Sequence, residues 1–245
     1  MSPPVGRIER SASPAPVPPL RVAVVIPARD EESSIPLVLD AIPEGLADEV
    51  VVVDNASEDG TARMARSLGA TVLFEPRPGY GAACLRGIEH LRARRPDLIV
   101  FLDADFSDDP REMAALIDPI ARDQADLVIG SRVLGSRERG ALLPQARLGN
   151  WLATRLMRIF YGGRYTDLGP FRAVRFEALV GLRMADRGFG WTAEMQVKAL
   201  KMGLRVREVP VSYRRRVGRS KISGTLLGSV RAGAKILWTI ARNLS

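Results

Sequence analysis

Cysteine is almost absent from this 245-residue chain, and the single Cys84 excludes an internal disulfide. Histidine is as scarce. His90 precedes Arg92, Arg94 and Arg95 in a helical stretch and reads as a surface residue, so acid–base chemistry falls to carboxylates. Residues 222–244 lack an apolar run long enough to cross a bilayer, because Arg231, Lys235 and Arg242 interrupt it. The first twenty residues hold prolines where a secretory leader needs an apolar core, which with the lone cysteine points to a reducing cytoplasm. An apolar content of 46% with 26% charged residues fits neither a disordered chain nor a disulfide scaffold, and 245 residues suit one α/β domain.

What is present includes a strongly basic end. From residue 200 onward eleven Lys and Arg face Glu208 alone, so this stretch carries +10 against a total of +8, and the rest sums to −2. Such an end suits phosphate groups, whether of a nucleotide, a lipid headgroup or a nucleic acid. Residues 11–19 alternate small residues with proline, so 1–19 are expected to form a flexible tail, followed by a catalytic domain over 20–222 and a helix over 223–245.

Short β-branched runs at 21–26, 49–53, 70–74, 98–102 and 126–129 alternate with amphipathic stretches, the rhythm of βαβ units and a Rossmann-like, mostly parallel sheet. Continuous runs such as 50–53 and 98–102 suit strands buried on both faces. After Gly130 the rhythm breaks. Residues 131–140, rich in arginine and glycine, are expected as a loop over a site, 148–161 as an apolar helix, and 171–175 with 206–213 as a strand pair bracketing a helix over 193–202. In the last segment Ile222, Leu226, Val230, Leu237 and Leu244 share one helical face and Arg231, Lys235 and Arg242 the opposite one. A helix lying in a membrane interface and a helix docked on its own domain both fit that pattern.

In open parallel sheets ligands bind beyond the carboxyl ends of the strands. Acidic residues follow three of the expected strands: Pro27-Ala28-Arg29-Asp30-Glu31-Glu32, Asp54-Asn55-Ala56-Ser57-Glu58-Asp59-Gly60-Thr61, and Asp103-Ala104-Asp105. Carboxylates converging on one edge repel unless a cation or hydrogen-bond donors offset them. With the two-residue period of a strand, Asp103 and Asp105 project the same way, and Mg2+ or Mn2+ is typically held by one or two carboxylates plus substrate phosphate oxygens. Taken alone, Asp-x-Asp fits a solvated strand end or helix cap at least as well, since Asp108-Asp109-Pro110 opens the next helix. For Asp54 the competing reading is an Asx turn leading to Thr61.

In order and spacing, Val24-Val25-Ile26-Pro27-Ala28-Arg29-Asp30-Glu31-Glu32, Val52-Val53-Asp54-Asn55-Ala56-Ser57-Glu58-Asp59-Gly60-Thr61 and Phe101-Leu102-Asp103-Ala104-Asp105 resemble the family 2 glycosyltransferases. The likeness is to the polyprenyl (dolichyl) phosphate mannose and glucose synthase branch and covers roughly residues 20–222. It implies a GT-A fold, an inverting transfer from a UDP- or GDP-sugar, Mg2+ or Mn2+ as cofactor, a polyprenyl phosphate acceptor, and a peripheral place on the inner face of a membrane. A related enzyme with a soluble acceptor such as a phosphoglycerate and a nucleotidyltransferase stay open, whereas a nucleic-acid-binding protein would leave the acidic strand ends unexplained.

By this resemblance Pro27, Ala28, Arg29 and Glu31 line the nucleotide pocket, Asp54 recognises the base, Asp103 contacts the ribose side and Asp105 the metal. Arg132, after Gly130-Ser131, would reach the nucleotide or sugar. Gly79-Tyr80-Gly81 resembles the family's glycine-rich turn, read here as close packing. Thr166-Asp167-Leu168-Gly169-Pro170-Phe171-Arg172 resembles an Asp-x-x-Ser-Gly-Phe-Arg segment with Gly169-Pro170 in place of Ser-Gly, and puts Asp167 on the acceptor side. Trp191-Thr192-Ala193-Glu194 would bring a second carboxylate, and Arg216, Arg219 and Lys221 would hold phosphate. A phosphate acceptor is already ionised near neutrality and needs no base, whereas a hydroxyl acceptor would need Asp167 or Glu194.

Overall fold

The computed structural model describes residues 20–218 and 226–243, so the expected tail over 1–19 and the candidates Arg219 and Lys221 lie outside the described residues. Seven strands among these form one sheet: β1 Val22–Ala28, β2 Glu49–Asp54, β3 Thr71–Phe74, β4 Leu98–Phe101, β5 Leu127–Ser131, β6 Arg172–Arg175 and β7 Val206–Pro210. Their order is β3-β2-β1-β4-β6-β5-β7. All pairings are parallel except those of β6, which runs antiparallel to β4 and β5. The expected partnership of 171–175 with 206–213 is therefore corrected: β5 lies between β6 and β7 and pairs with both.

Eight α-helices among the described residues connect the strands: α1 Ile35–Ala41, α2 Thr61–Ser67, α3 Tyr80–Leu91, α4 Met113–Ala121, α5 Pro144–Tyr161, α6 Phe176–Gly181, α7 Trp191–Lys201 and α8 Leu226–Arg242. Successive strand residues point to opposite faces, so each central strand supplies two cores. Val24, Ile26, Val52, Val100 and Val128 pack under α1 and α4, whereas Val25, Val51, Val53, Ile99, Phe101 and Ile129 pack against α3, α6 and α7. Phe101 meets Trp191 edge-on at 5.9 Å between ring centroids. Each fully buried aliphatic or aromatic side chain of this kind stabilises the fold by roughly 1.5–3 kcal/mol, which fixes the strand ends that carry the site.

Two helices differ from the sequence pattern. α5 begins at Pro144, four residues ahead of the expected start, because proline is favoured in a first helical turn, and it ends at Gly162 in the left-handed region (φ 71°). α8 docks on its own domain. Its Ile236 and Ile240 join Ala153, Met157, Leu168, Ala193 and Val197 of a third apolar cluster. Over the described side chains, residues 233–243, a polar pair joins that docking face. Thr239 is buried, Lys235 pairs with the fully buried Asp186 at 3.0 Å, and Trp238 faces solvent. Among the described residues no helix is long and apolar enough to cross a membrane. His90 is also not the surface residue expected: it is part-buried, with Nε2 2.9 Å from Glu49 at the opening end of β2.

Candidate functional site

A cleft of about 320 Å³ opens beyond the carboxyl ends of β1, β2 and β4, lined by Pro27, Ala28, Arg29, Glu31, Asn55, Tyr80, Asp103, Ala104, Asp105, Gly188, Phe189 and Arg216 among others. Local hydrogen bonds explain why the first two acidic turns sit together. Asp30 takes a left-handed conformation (φ 50°), its amide donates to Ser57 Oγ at 3.0 Å, and its carboxylate accepts from the Glu58 amide at 2.7 Å. The Glu31 amide donates to Thr61 Oγ1 at 2.7 Å, at the opening of α2. The turn after β1 is thereby clamped onto the turn after β2. Asp54 stands one residue from the cleft wall, with Oδ1 accepting the Ser57 amide at 3.1 Å in the Asx turn, while its neighbour Asn55 faces the cleft and ties down the third turn through Glu75, Arg77 and Gly79.

The glycine turn before α3 works by close packing. A Cβ at Gly79 or Gly81 would collide with the backbone carbonyls of Arg187 and Asp186. The amides of Gly81 and Ala82 donate to Gly188 and Arg187, so the turn holds the 186–189 wall of the cleft. Glycine at Gly79 is further required by its φ of 151°.

Asp103 and Asp105 stand side by side at the β4 end. Burial, and then the neighbouring Asp105 charge, push the Asp103 carboxyl up to about 7, and the nearby Tyr80 hydroxyl opposes the shift. Asp103 Oδ1 is buried and makes no hydrogen bond. Asp105 Oδ1 accepts from the Ser107 amide and hydroxyl at 2.9 and 2.6 Å, and its Oδ2 lies 3.4 Å from Arg216 Nη1. The second terminal nitrogen of Arg216, Nη2, donates to Glu31 Oε1 at 2.6 Å. One guanidinium thus bridges the acidic ends of β1 and β4. The segment that carries it is strapped down by the Arg214 amide on the Ser107 carbonyl and the Val217 amide on the Asp105 carbonyl, both at 2.9 Å.

Among the described residues no group of three or more His, Cys, Asp or Glu is assembled to hold a metal. Paired carboxylates with a buried, unsatisfied oxygen nevertheless fit a hard cation that takes its remaining ligands from a diphosphate. A divalent charge would also remove the repulsion that lifts Asp103.

The other carboxylates behave differently. Asp167 is fully buried and closed on Arg132 by two side-chain hydrogen bonds of 2.8 and 2.7 Å and one from the Arg132 amide at 2.8 Å. Arg132 stacks 5.0 Å from the Tyr213 ring centroid. Glu194 is not brought to the cleft. It is buried at the start of α7, accepts the Ala185 and Asp186 amides, and pairs with Lys198 at 2.8 Å.

Over this fold and cleft, the model of the family described as "Glycosyl transferase family 2" matches residues 23–182, more than half of the sequence. The chain belongs to glycosyl transferase family 2. Relatives of this glycosyltransferase include an uncharacterised glycosyltransferase of Mycobacterium tuberculosis, 41% identical over 86% of this chain and 94% of its own length. The undecaprenyl-phosphate mannosyltransferase of Micrococcus luteus is 32% identical over 85% and 90%, and the polyprenol monophosphomannose synthase of Mycolicibacterium smegmatis 30% over 85% and 83%. Among solved structures, glucosyl-3-phosphoglycerate synthase of Mycobacterium tuberculosis, crystallised with Mn2+, UDP and glucosyl-3-phosphoglycerate, aligns with a TM-score of 0.73 at 24% identity over 91% of this chain and 80% of that one. That likeness establishes the GT-A fold.

Two buried groups of the glycosyltransferase escaped the sequence reading. Both Asp108 oxygens are buried without a hydrogen bond; burial and then the Asp103 charge push this carboxyl well above its usual range, against the pull of Arg132. Asp109 makes the helix cap instead, accepting the Arg111 amide at 3.2 Å. Arg172 is fully buried and donates to the carbonyls of Leu168, Gly169 and Thr192, with no carboxylate ion pair among the described residues. The only sequence signal was position: Asp108 follows the Asp-x-Asp, and Arg172 closes the Gly169-Pro170-Phe171-Arg172 segment.

Proposed function

We propose that this glycosyltransferase moves a sugar from a UDP- or GDP-sugar to a polyprenyl phosphate, with inversion and with Mg2+ or Mn2+ as cofactor. The donor lies in the cleft between the ends of β1 and β4. Pro27, Ala28, Arg29 and Glu31 wall the nucleotide, Asp54 reads the base edge, Asp103 takes the ribose side, Asp105 the cation, and Arg132 orients the donor sugar. A bound cation would neutralise the diphosphate and the charge it gains on leaving. Arg216, with Arg219 and Lys221 after it in the chain, holds the same phosphates through charge-assisted hydrogen bonds.

The observation that carries the acceptor reading is the occupation of both candidate bases. Asp167 is locked on Arg132, and Glu194 on two amides and Lys198. A hydroxyl acceptor would lose its proton to a free base within hydrogen-bond reach. A phosphate monoester, with a second pKa of about 6, arrives already ionised. Its oxygen forms the new bond to the anomeric carbon as the bond to the nucleoside diphosphate breaks and that group leaves with the electron pair. Asp167 then acts by holding Arg132 in place. The relatives named for undecaprenyl-phosphate and polyprenol support the same acceptor class.

The test is product analysis with UDP- and GDP-sugars, Mn2+, and either a polyprenyl phosphate or 3-phosphoglycerate. Release of nucleoside diphosphate matched by a sugar-phosphate lipid of inverted anomeric configuration is expected. Turnover confined to phosphoglycerate would overturn the acceptor.

A further inference from the structure

The charge tally that places the basic residues at the C-terminal end conceals a second basic region. Between residues 139 and 166 lie Arg139, Arg147, Arg155, Arg158 and Arg164, with no lysine and no acidic residue. The centre of this stretch is α5. Its inner side, Ala153, Thr154 and Met157, is buried against α7 and α8. The opposite side repeats at three- and four-residue steps as Leu148, Trp151, Arg155 and Ile159, and the apolar members are exposed by 65%, 56% and 63%. Arg155 lies 5.8 Å from the Trp151 ring centroid, so cation and aromatic share one surface. Isolated exposed hydrophobics need no explanation, but a tryptophan, a leucine and an isoleucine on one helical stripe, interleaved only with arginine, do.

We infer that the solvent face of α5 is the surface on which this glycosyltransferase rests against an anionic membrane. The composition is that of an interfacial helix: aromatic and aliphatic side chains enter the headgroup boundary while arginines meet anionic headgroups. The absence of any carboxylate across 139–166 gives the charge complementarity that a second copy of this chain, offering the same positive face, would lack. The surface also adjoins the site. A groove of about 550 Å³ between α5 and the preceding loop is lined by Val133, Leu142, Leu148 and Trp151, carries Arg137 and Arg147, and reaches Thr166. Thr166 precedes Asp167 and shares a 2.7 Å hydroxyl contact with Ser131, the residue before Arg132. The inference deepens the lipid-phosphate reading by assigning the membrane surface to α5; α8, the helix the sequence offered for it, is docked inward.

The experiment is flotation of the full chain with phosphatidylcholine vesicles, with and without phosphatidylglycerol and containing no polyprenyl phosphate. Wild type is expected to float with the anionic vesicles and to be released as salt rises. Arg155→Glu with Arg158→Glu lowers the bound fraction roughly tenfold or more, and Trp151→Ser lowers it several-fold. Nucleoside diphosphate affinity, measured on the same preparations, stays at the wild-type value and reports an intact domain. Equal flotation of wild type and the α5 variants would overturn the inference, as would indifference to anionic lipid. So would a dimer in sedimentation that the α5 variants dissociate without any vesicle binding by wild type. Failure of the acceptor reading alone would leave flotation intact and only the sugar-phosphate lipid missing.

Discussion

The two halves of the sheet treat buried charge in opposite ways. At the ends of β1 and β4, Asp103 is lifted toward neutrality by its surroundings, the Asp108 carboxyl makes no hydrogen bond, and Arg216 spans Glu31 and Asp105. Around β5, β6 and α7 the carboxylates are closed: Asp167 on Arg132, Glu208 on the Thr166 and Asp167 amides, Glu194 on the 185–186 turn. Buried carboxyl oxygens without a hydrogen bond, as on Asp103 and Asp108, cost stability and persist where a charged ligand is bound, whereas saturated ion pairs hold geometry. On the function proposed above, the first side receives a cation-bound diphosphate and the other serves as framework.

The sharpest break of that contrast is expected at Asp167. Asp167→Ala leaves Arg132 buried without its partner and should cost about 3–5 kcal/mol in urea unfolding, whereas adding Arg132→Met recovers most of the loss. An Asp167→Ala protein as stable as wild type would place this pair outside the framework. Arg216→Gln should act on binding instead. Losing a charged donor weakens nucleoside diphosphate binding by roughly tenfold. Affinity for Mn2+ alone should rise, because the guanidinium no longer stands 3.4 Å from Asp105 Oδ2, and calorimetry reads both.

The smallest effect is on stability at Asp103. A carboxyl raised from 3.8 to about 7 in the fold favours its neutral form, so the ligand-free protein loses stability as pH climbs from about 4 through 7. Asp103→Asn removes that loss. It should melt above wild type at pH 8 and level with it at pH 4. A variant that melts below wild type at pH 8 would mean that Asp103 is satisfied in the free protein.

Much of the donor half was legible because its signals are local. Unbroken runs such as Val50 to Val53 leave little choice but a buried strand, and the residue after such a strand stands at the ligand edge. The second half depends on distant pairings. The four residues of β6, Arg172–Arg175, carry no mark of antiparallel insertion between β4 and β5, and it is β5 that stands between the two segments expected as a pair, β6 and β7. Periodicity in α8 pointed its cations outward, but Lys235 turns inward to the buried Asp186, whose other oxygen accepts the Gly188 amide at 2.8 Å in the cleft wall. A charge tally by chain end likewise hid the arginines of α5, which only the fold gathers on one face.

The most direct measurement is calorimetric titration of UDP and GDP, with and without Mn2+, into wild type and Asp105→Ala. The account predicts tight binding of one nucleotide that depends on Mn2+ in wild type and is lost in the variant, whose melting temperature stays near the wild-type value. Equal, metal-independent affinity in both proteins would contradict it.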